Sequence, residues 1–335
     1  MSAILHFDYF LPDACFATAE SLQWRHILLT LRALYLMSNS TDMTQELFSV
    51  KDLLRWAVSR FTESQLYFGH GTDNAYDEAL TLIAHLLHLP IELVDTFADA
   101  RLTQAERSLI VQLIETRCRE RIPLAYITNE AWFAGLPFTV DDRVIIPRSP
   151  IAELIEQGFQ PWLSSEPTRV LDLCAGSGCI GIACAIHLGS EVDLVELSPE
   201  ALALANQNIQ RHKLTASVKA IESDLFASID GQYDLIVSNP PYVDVGDLAS
   251  MPAEYHHEPV MALAAGADGL AIARKILAQS ADYLSEQGLL VLEVGNSDLA
   301  LAKAFPSVPF LWLELARGGH GVCAFTRQEL LDHFS

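Results

Sequence analysis

The chain has 335 residues, 50% of them apolar and 19% charged, and 21 Lys+Arg stand against 43 Asp+Glu for a formal net charge of −22. At roughly 150 residues per domain this predicts about two domains with real apolar cores, and it excludes a disordered or collagen-like chain. Such an acidic excess argues against a broad basic face that grips bare nucleic acid, and suits a basic or neutral partner.

Met1–Asp8 carries neither a basic n-region nor a long apolar run, so no signal peptide is expected and a cytoplasmic location is. Ser21–Met37 places apolar residues at Leu22, Ile27, Leu28, Leu31, Leu34 and Tyr35, close to helical spacing. Leu53–Phe61 and Ala75–Leu89 read the same way. Thr103-Gln-Ala-Glu106 is a capping box that predicts a helix start, and Pro123 is expected to close that helix. His85 and His88 lie one turn apart without a nearby carboxylate, which reads as packing or surface. Ala125–Phe133 and Phe138–Val140 predict two short strands around Gly135-Leu-Pro137. Val144–Pro150, with its two prolines, is expected to be extended.

From residue 168 strands and helices alternate. The predicted strands are Arg169–Leu173, Val192–Leu197, Ser217–Ile221, Tyr233–Ser238 and Gly288–Val294, with Phe310–Leu315 and Val322–Thr326 as a closing pair. The predicted helices are Cys179–Leu188, Pro199–His212 (Ser198 as N-cap) and Gly269–Ser285. This alternation means an α/β fold with a mostly parallel sheet covered on both faces, which binds ligands at the carboxyl ends of its strands. The uncharged run Leu173–Ser190 is better explained as a glycine turn entering a buried helix than as a membrane span. The expected domains are 1–121 (helical), 122–145 (a hairpin linker) and 146–335 (the α/β unit).

Six cysteines form no CxxC pair, so no zinc or thioredoxin-type motif is written, and no metal is expected. The first chemical motif is Val170–Gly181, in which Gly176, Gly178 and Gly181 make GxGxxG between a strand and a helix. Glu196 ends the next strand, where a carboxylate can accept both hydroxyls of a ribose. Together these leave a nicotinamide dinucleotide and another adenosine cofactor both open. Asp172, ahead of the glycines, is unhelpful beside a pyrophosphate and favourable near the cationic S-adenosylmethionine. The second motif is Asn239-Pro-Pro-Tyr242 at the end of Tyr233–Ser238. Two prolines stiffen the loop, Asn239 Oδ1 and the Pro240 carbonyl can each accept one N–H of a planar NH2 group, and Tyr242 can stack on its plane. That arrangement suits a poorly nucleophilic amide or exocyclic amine held in line with an electrophilic methyl.

Asn239–Tyr242 resembles the NPPY signature of class I S-adenosylmethionine-dependent methyltransferases that act on amide or amino nitrogens. Ile146–Pro150, Val170–Gly181, and Glu258-Pro-Val-Met-Ala-Leu263 with Gly266-Ala-Asp-Gly269 resemble the HemK-type N5-glutamine methyltransferases. Asn129–Gly135 with Arg148-Ser-Pro150 is most similar to the PrmB-type branch, which modifies the third protein of the large ribosomal subunit. The release-factor branch carries an acidic pattern after its arginine, where this chain has Ser149-Pro-Ile-Ala152. The resemblance spans about residues 120–327. It implies a class I Rossmann-like fold, S-adenosylmethionine as cofactor and a basic ribosomal protein as partner, with no nucleic acid and no membrane. It implies that Cys174, Gly176 and Gly178 lie at the methionine end of the cofactor. Glu196, with Leu197, lies at the ribose, and Asp224 and Leu225 lie at the adenine. Asn239, Pro240, Pro241 and Tyr242 hold the glutamine, and Arg148 and Glu258 lie near them. A release-factor glutamine, the N6 amine of adenine in nucleic acid and a nicotinamide-dependent oxidation are the alternatives, in that order.

Overall fold

The structure, a computed structural model, describes residues 43–334, so the expected helix Ser21–Met37 lies outside the described residues. Helices α1 (Val50–Glu63), α2 (Ala75–Leu86) and α3 (Gln104–Glu120) pack around a core that includes Leu53, Phe61, Leu82, Ile83, Ile110 and Ile114. The Thr103 capping box is present in both halves: its hydroxyl accepts from Glu106 N and the Glu106 carboxylate accepts from Thr103 N. α2 stops at Leu86, three residues short of the expected end, and His88 follows in the left-handed region. α3 ends on Arg121 at φ 61°, before Pro123 is reached.

Pro123 opens a helix instead of only closing one. Residues 125–128, expected as strand, form α4 (Leu124–Thr128), which begins after Pro123, buries Leu124 and Ala125, and stops at Asn129 with φ 54°. The hairpin is correspondingly shorter, β1 (Glu130–Phe133) against β2 (Leu136–Thr139), and its turn is Ala134-Gly135. Both turn residues have positive φ, 48° and 74°, as a tight two-residue hairpin requires. The segment 144–150, expected as extended, is so at neither end: Val144 closes a turn by donating to the Asp141 carbonyl, and Pro150 (φ −67°, ψ −9°) already has helical backbone as the N-cap of α5 (Ile151–Glu156), which was not expected.

The main sheet has seven strands in the order β5-β4-β3-β6-β7-β9-β8. They are β3 (Arg169–Leu173), β4 (Glu191–Glu196), β5 (Val218–Glu222), β6 (Tyr233–Ser238), β7 (Leu284–Glu293), β8 (Leu311–Trp312) and β9 (Val322–Thr326). All neighbours are parallel except β7 with β9 and β9 with β8. Successive residues feed opposite faces: Val170, Leu235, Val237 and Val291 join one core, and Leu171, Ile236, Leu290 and Leu292 join the other. Helices α6 (Cys179–Leu188) and α7 (Pro199–Arg211) cover the first face, and α8 (Ala271–Tyr283) covers the second. That two-sided burial is why these strands read as unbroken apolar runs. α6 is only ten residues long, and among the described residues no single helix is long and apolar enough to cross a membrane.

Buried polar side chains join the parts. Asn208 of α7 accepts from Thr139 N and donates to the carbonyls of Thr139 and Ser177, tying the hairpin to the glycine turn. Arg117 of α3 is 1% exposed and reaches Glu78 Oε1 at 2.6 Å within the helical part. It also reaches Glu254 Oε1 at 3.2 Å, in the segment that follows the Asn-Pro-Pro-Tyr loop. Arg121 and the backbone N–H of Tyr67 bind the same Glu254 oxygen.

Candidate active site

A cavity of about 250 Å³ opens at the carboxyl ends of β3, β4 and β6, the edge of the sheet where its order reverses. Cys174, Gly176, Glu196, Leu197, Asp224, Leu225, Asn239 and Pro241 all line it. Two of them, Cys174 at φ 60° and Leu225 at φ 51°, hold the left-handed backbone that non-glycine residues rarely adopt, and such strain concentrates at ligand sites.

The glycines divide their labour. Gly176 faces the cavity at φ 54° with open space where a Cβ would stand. Gly178 and Gly181 sit behind it, and an added Cβ at either would come within 2.9 Å or 2.2 Å of Leu194. They allow α6 to press on β4. Glu196 is aimed by the backbone: Oε2 accepts from Gly176 N at 2.8 Å, and Oε1 accepts from Leu197 N and Ser198 N at 2.9 Å each. The pocket thus pairs a fixed carboxylate and an exposed carboxylate (Asp224) with apolar walls from Leu225, Ile272 and Met261. This acceptor and wall set fits the ribose and flat base of an adenosine cofactor.

Asp172 does not line the cavity. It is fully buried behind the turn, where Oδ2 accepts from Gly181 N at 2.8 Å and Oδ1 has no partner among the described residues. Burial pushes its carboxyl up to about 7, the Glu196 charge adds to this, and the Gly181 N–H opposes it. The folded chain therefore keeps a proton that the unfolded chain sheds near its ordinary value of about 4. The contribution of Asp172 to stability must fall as pH rises from about 4 to about 7. Asp172→Asn is expected to flatten that part of the melting-temperature curve, measured by thermal scans across pH. An unchanged slope would assign the pH dependence elsewhere.

Asn239 lines the cavity, and its Oδ1 is buried with no hydrogen-bond partner among the described residues. Pro240 is buried and Pro241 forms part of the cavity wall. Tyr242 stands beyond the lining, its hydroxyl donating to Glu293 Oε1 at 3.3 Å. Arg148 is also outside the lining. Its guanidinium makes a bidentate pair with the buried Glu258, at 2.5 and 2.8 Å, and lies over the Tyr255 ring. Burial alone would lower its pKa, but the Glu258 carboxylate more than offsets this and holds Arg148 charged. Glu258 Oε1 also accepts from Ile146 N, so the pair locks the Ile146–Pro150 segment onto the 253–263 segment. That second segment reaches the cavity through Pro259, Met261 and Ala262, and Arg143 and Ile145 enter from the stretch just before the first. These five residues carry no chemical motif of their own. The Glu258–Leu263 run marked the first three in the sequence, and the Val144–Pro150 segment marked Ile145.

The family model described as "Methyltransferase small domain" matches residues 157–254. A "Ribosomal protein uL3 glutamine methyltransferase" of Francisella tularensis is 46% identical over 304 residues, covering 90% of this chain and 97% of that one. A protein of the same description from Neisseria gonorrhoeae is 46% identical over 290 residues, covering 86% and 97%. Among solved structures, a Thermus thermophilus 16S rRNA N2 G1207 methyltransferase in complex with AdoMet and guanosine matches at 20% identity and a TM-score of 0.41, covering 59% of this chain and 49% of that one. With a mostly parallel seven-stranded sheet, a cavity at its strand ends and near full-length similarity at 46% identity, the chain belongs to the ribosomal protein uL3 glutamine methyltransferase family.

Proposed function

We propose that the chain methylates the side-chain amide nitrogen (N5) of a glutamine in ribosomal protein uL3. The observation that carries the chemistry is Asn239 Oδ1, a buried acceptor without a partner on the wall of the cavity. A buried amide oxygen left unpaired is costly, and one N–H of a substrate amide satisfies it. The Pro240 carbonyl, held by two adjacent prolines, takes the second N–H, and the Tyr242 ring covers the amide plane.

S-adenosylmethionine supplies, when bound, an electrophilic methyl on a positively charged sulfonium. Glu196 holds its ribose, Asp224 and Leu225 its adenine, and Cys174 and Gly176 its methionine end. The amide lone pair is delocalised into its carbonyl, so the nitrogen is a weak nucleophile. Hydrogen bonds from it to Asn239 and Pro240 orient the nitrogen and favour tetrahedral geometry as the bond forms. Positioning of this kind supplies up to about 7–11 kcal/mol of a barrier. The helical part, with its own core and its Arg117–Glu254 link to the cavity segment, is the surface that reads the substrate protein. A chain of net charge −22 attracts a basic protein and repels phosphate, which ranks nucleic acid below uL3. A ribosomal protein substrate supports the cytoplasm as the compartment of the reaction.

The test is methyl-label transfer from S-adenosylmethionine to purified unmethylated uL3, with a release factor and an adenine-containing duplex as competitors, followed by peptide mapping. Label on one uL3 glutamine is expected. Label on the release factor or on adenine alone would overturn the assignment.

A further inference from the structure

Tyr242 is gripped at three points by alternate residues at and beyond the end of β7. Its hydroxyl donates to Glu293 Oε1 at 3.3 Å. Its ring lies against Gly295, where an added Cβ would stand 2.5 Å from Cε2. Its backbone carbonyl accepts from the Ser297 hydroxyl at 2.7 Å. Of the three, only Glu293 titrates. It is 4% exposed, and its second oxygen accepts from the Ser149 hydroxyl at 2.5 Å. One carboxylate therefore joins the tyrosine of the Asn-Pro-Pro-Tyr loop to the segment that Arg148 and Glu258 lock in place.

We infer that Glu293 is a positioning residue for methyl transfer: as a carboxylate it accepts from Ser149 and Tyr242 together, and so fixes the Tyr242 ring against the substrate amide. This rests on the reading of Asn239–Tyr242 as the amide cradle. The charge state matters because an ionised carboxylate only accepts, whereas a protonated one must donate from one oxygen. One of the two hydroxyls then loses its acceptor or has to turn. Burial pushes the Glu293 carboxyl up to about 7, against the pull of the Ser149 and Tyr242 hydroxyls and the Arg148 charge. The groups that face it are thus Tyr242 from the loop after β6 and Ser149 and Arg148 from the segment before α5. Because the carboxylate is the working form, turnover falls as pH drops below about 7.

The experiment compares wild type, Glu293→Gln, Tyr242→Phe and the double variant in methyl transfer to purified uL3, from about pH 5 to about pH 9. Calorimetric binding of S-adenosylmethionine and a thermal melt accompany each. Glu293→Gln is expected to lose about tenfold or more in kcat, to bind S-adenosylmethionine within about twofold of wild type, and to lose the acidic limb of the profile. Tyr242→Phe loses the same limb, and the double variant is no worse than the poorer single one, because the two act as a unit. A Glu293→Gln enzyme that keeps the wild-type limb, or losses that multiply, would overturn the inference. Should Glu293→Gln fail to melt cooperatively, Tyr242→Phe decides alone, and a retained limb sinks the idea. Should wild type label no glutamine, the cradle reading falls, and this inference with it.

Discussion

Asn239→Ala is expected to slow methyl transfer by about 30- to 1000-fold while the affinity for S-adenosylmethionine changes by less than about twofold. The size comes from analogous removals of one preorganised hydrogen-bonding group, which cost about 2–4 kcal/mol. The selectivity comes from geometry. Asn239 Oδ1 is the unpartnered acceptor in the wall of the cavity, and Glu196, on another strand, and Gly176, in the turn after β3, are held by a hydrogen bond to each other. Steady-state rates with uL3 and calorimetric titration of the cofactor separate the two quantities. An equal loss of both would point to a collapsed loop and remove Asn239 from the role of amide acceptor.

Arg117→Ala is expected to destabilise the chain by about 3–5 kcal/mol, the cost of breaking a buried ion pair from one side. Arg117 is 1% exposed and stands between Glu78 and Glu254, each almost fully buried. Its removal strands Glu78 with only the Thr72 hydroxyl, and leaves Glu254 to Arg121 at 3.4 Å and the Tyr67 N–H. Urea unfolding followed by far-ultraviolet dichroism measures the loss. A companion variant, Glu78→Gln with Arg117→Met and Glu254→Gln, removes all three buried charges and is expected to recover most of it, because no fully buried charge is then left unpaired and Arg121, partly exposed, keeps the Ser64 and Gln65 carbonyls. A cost below about 1 kcal/mol for Arg117→Ala would show that water reaches the site and that the network does not hold the helical part to the cavity segment.

The strands of the main sheet were legible because their burial on both faces leaves little but apolar residues, and three of them match to the residue. The helix starts at Ser49, Thr103 and Ser198 are local hydrogen-bond devices, and the last two were readable from a few consecutive residues. The linker was misread for a physical reason. Leu124–Thr128 has strand-like composition, but Pro123 starts a helical turn there, and the helical core takes Leu124 while the core on the first face of the sheet takes Ala125. In the site, the glycine turn, Glu196 and Asn239 were visible as motifs because each sits at a strand end, a position set by local order, whereas Asp224 came only from the family resemblance. Glu293 was not visible. It is one carboxylate at the end of an ordinary apolar strand, and nothing near it in sequence marks it.

What the sequence determined alone is therefore most of what depends on near neighbours: the alternation of strand and helix in the sheet, two of the caps, the glycine turn and the Asn-Pro-Pro-Tyr loop. What only the tertiary structure decided is which distant groups share a buried charge or hydrogen bond. Arg117 with Glu254, Arg148 with Glu258, and Glu293 with Ser149 and Tyr242 are separated by 51 to 144 positions. The reason is desolvation: a charge taken out of water must find its partner in the fold, wherever the chain supplies one, and no local pattern records that choice.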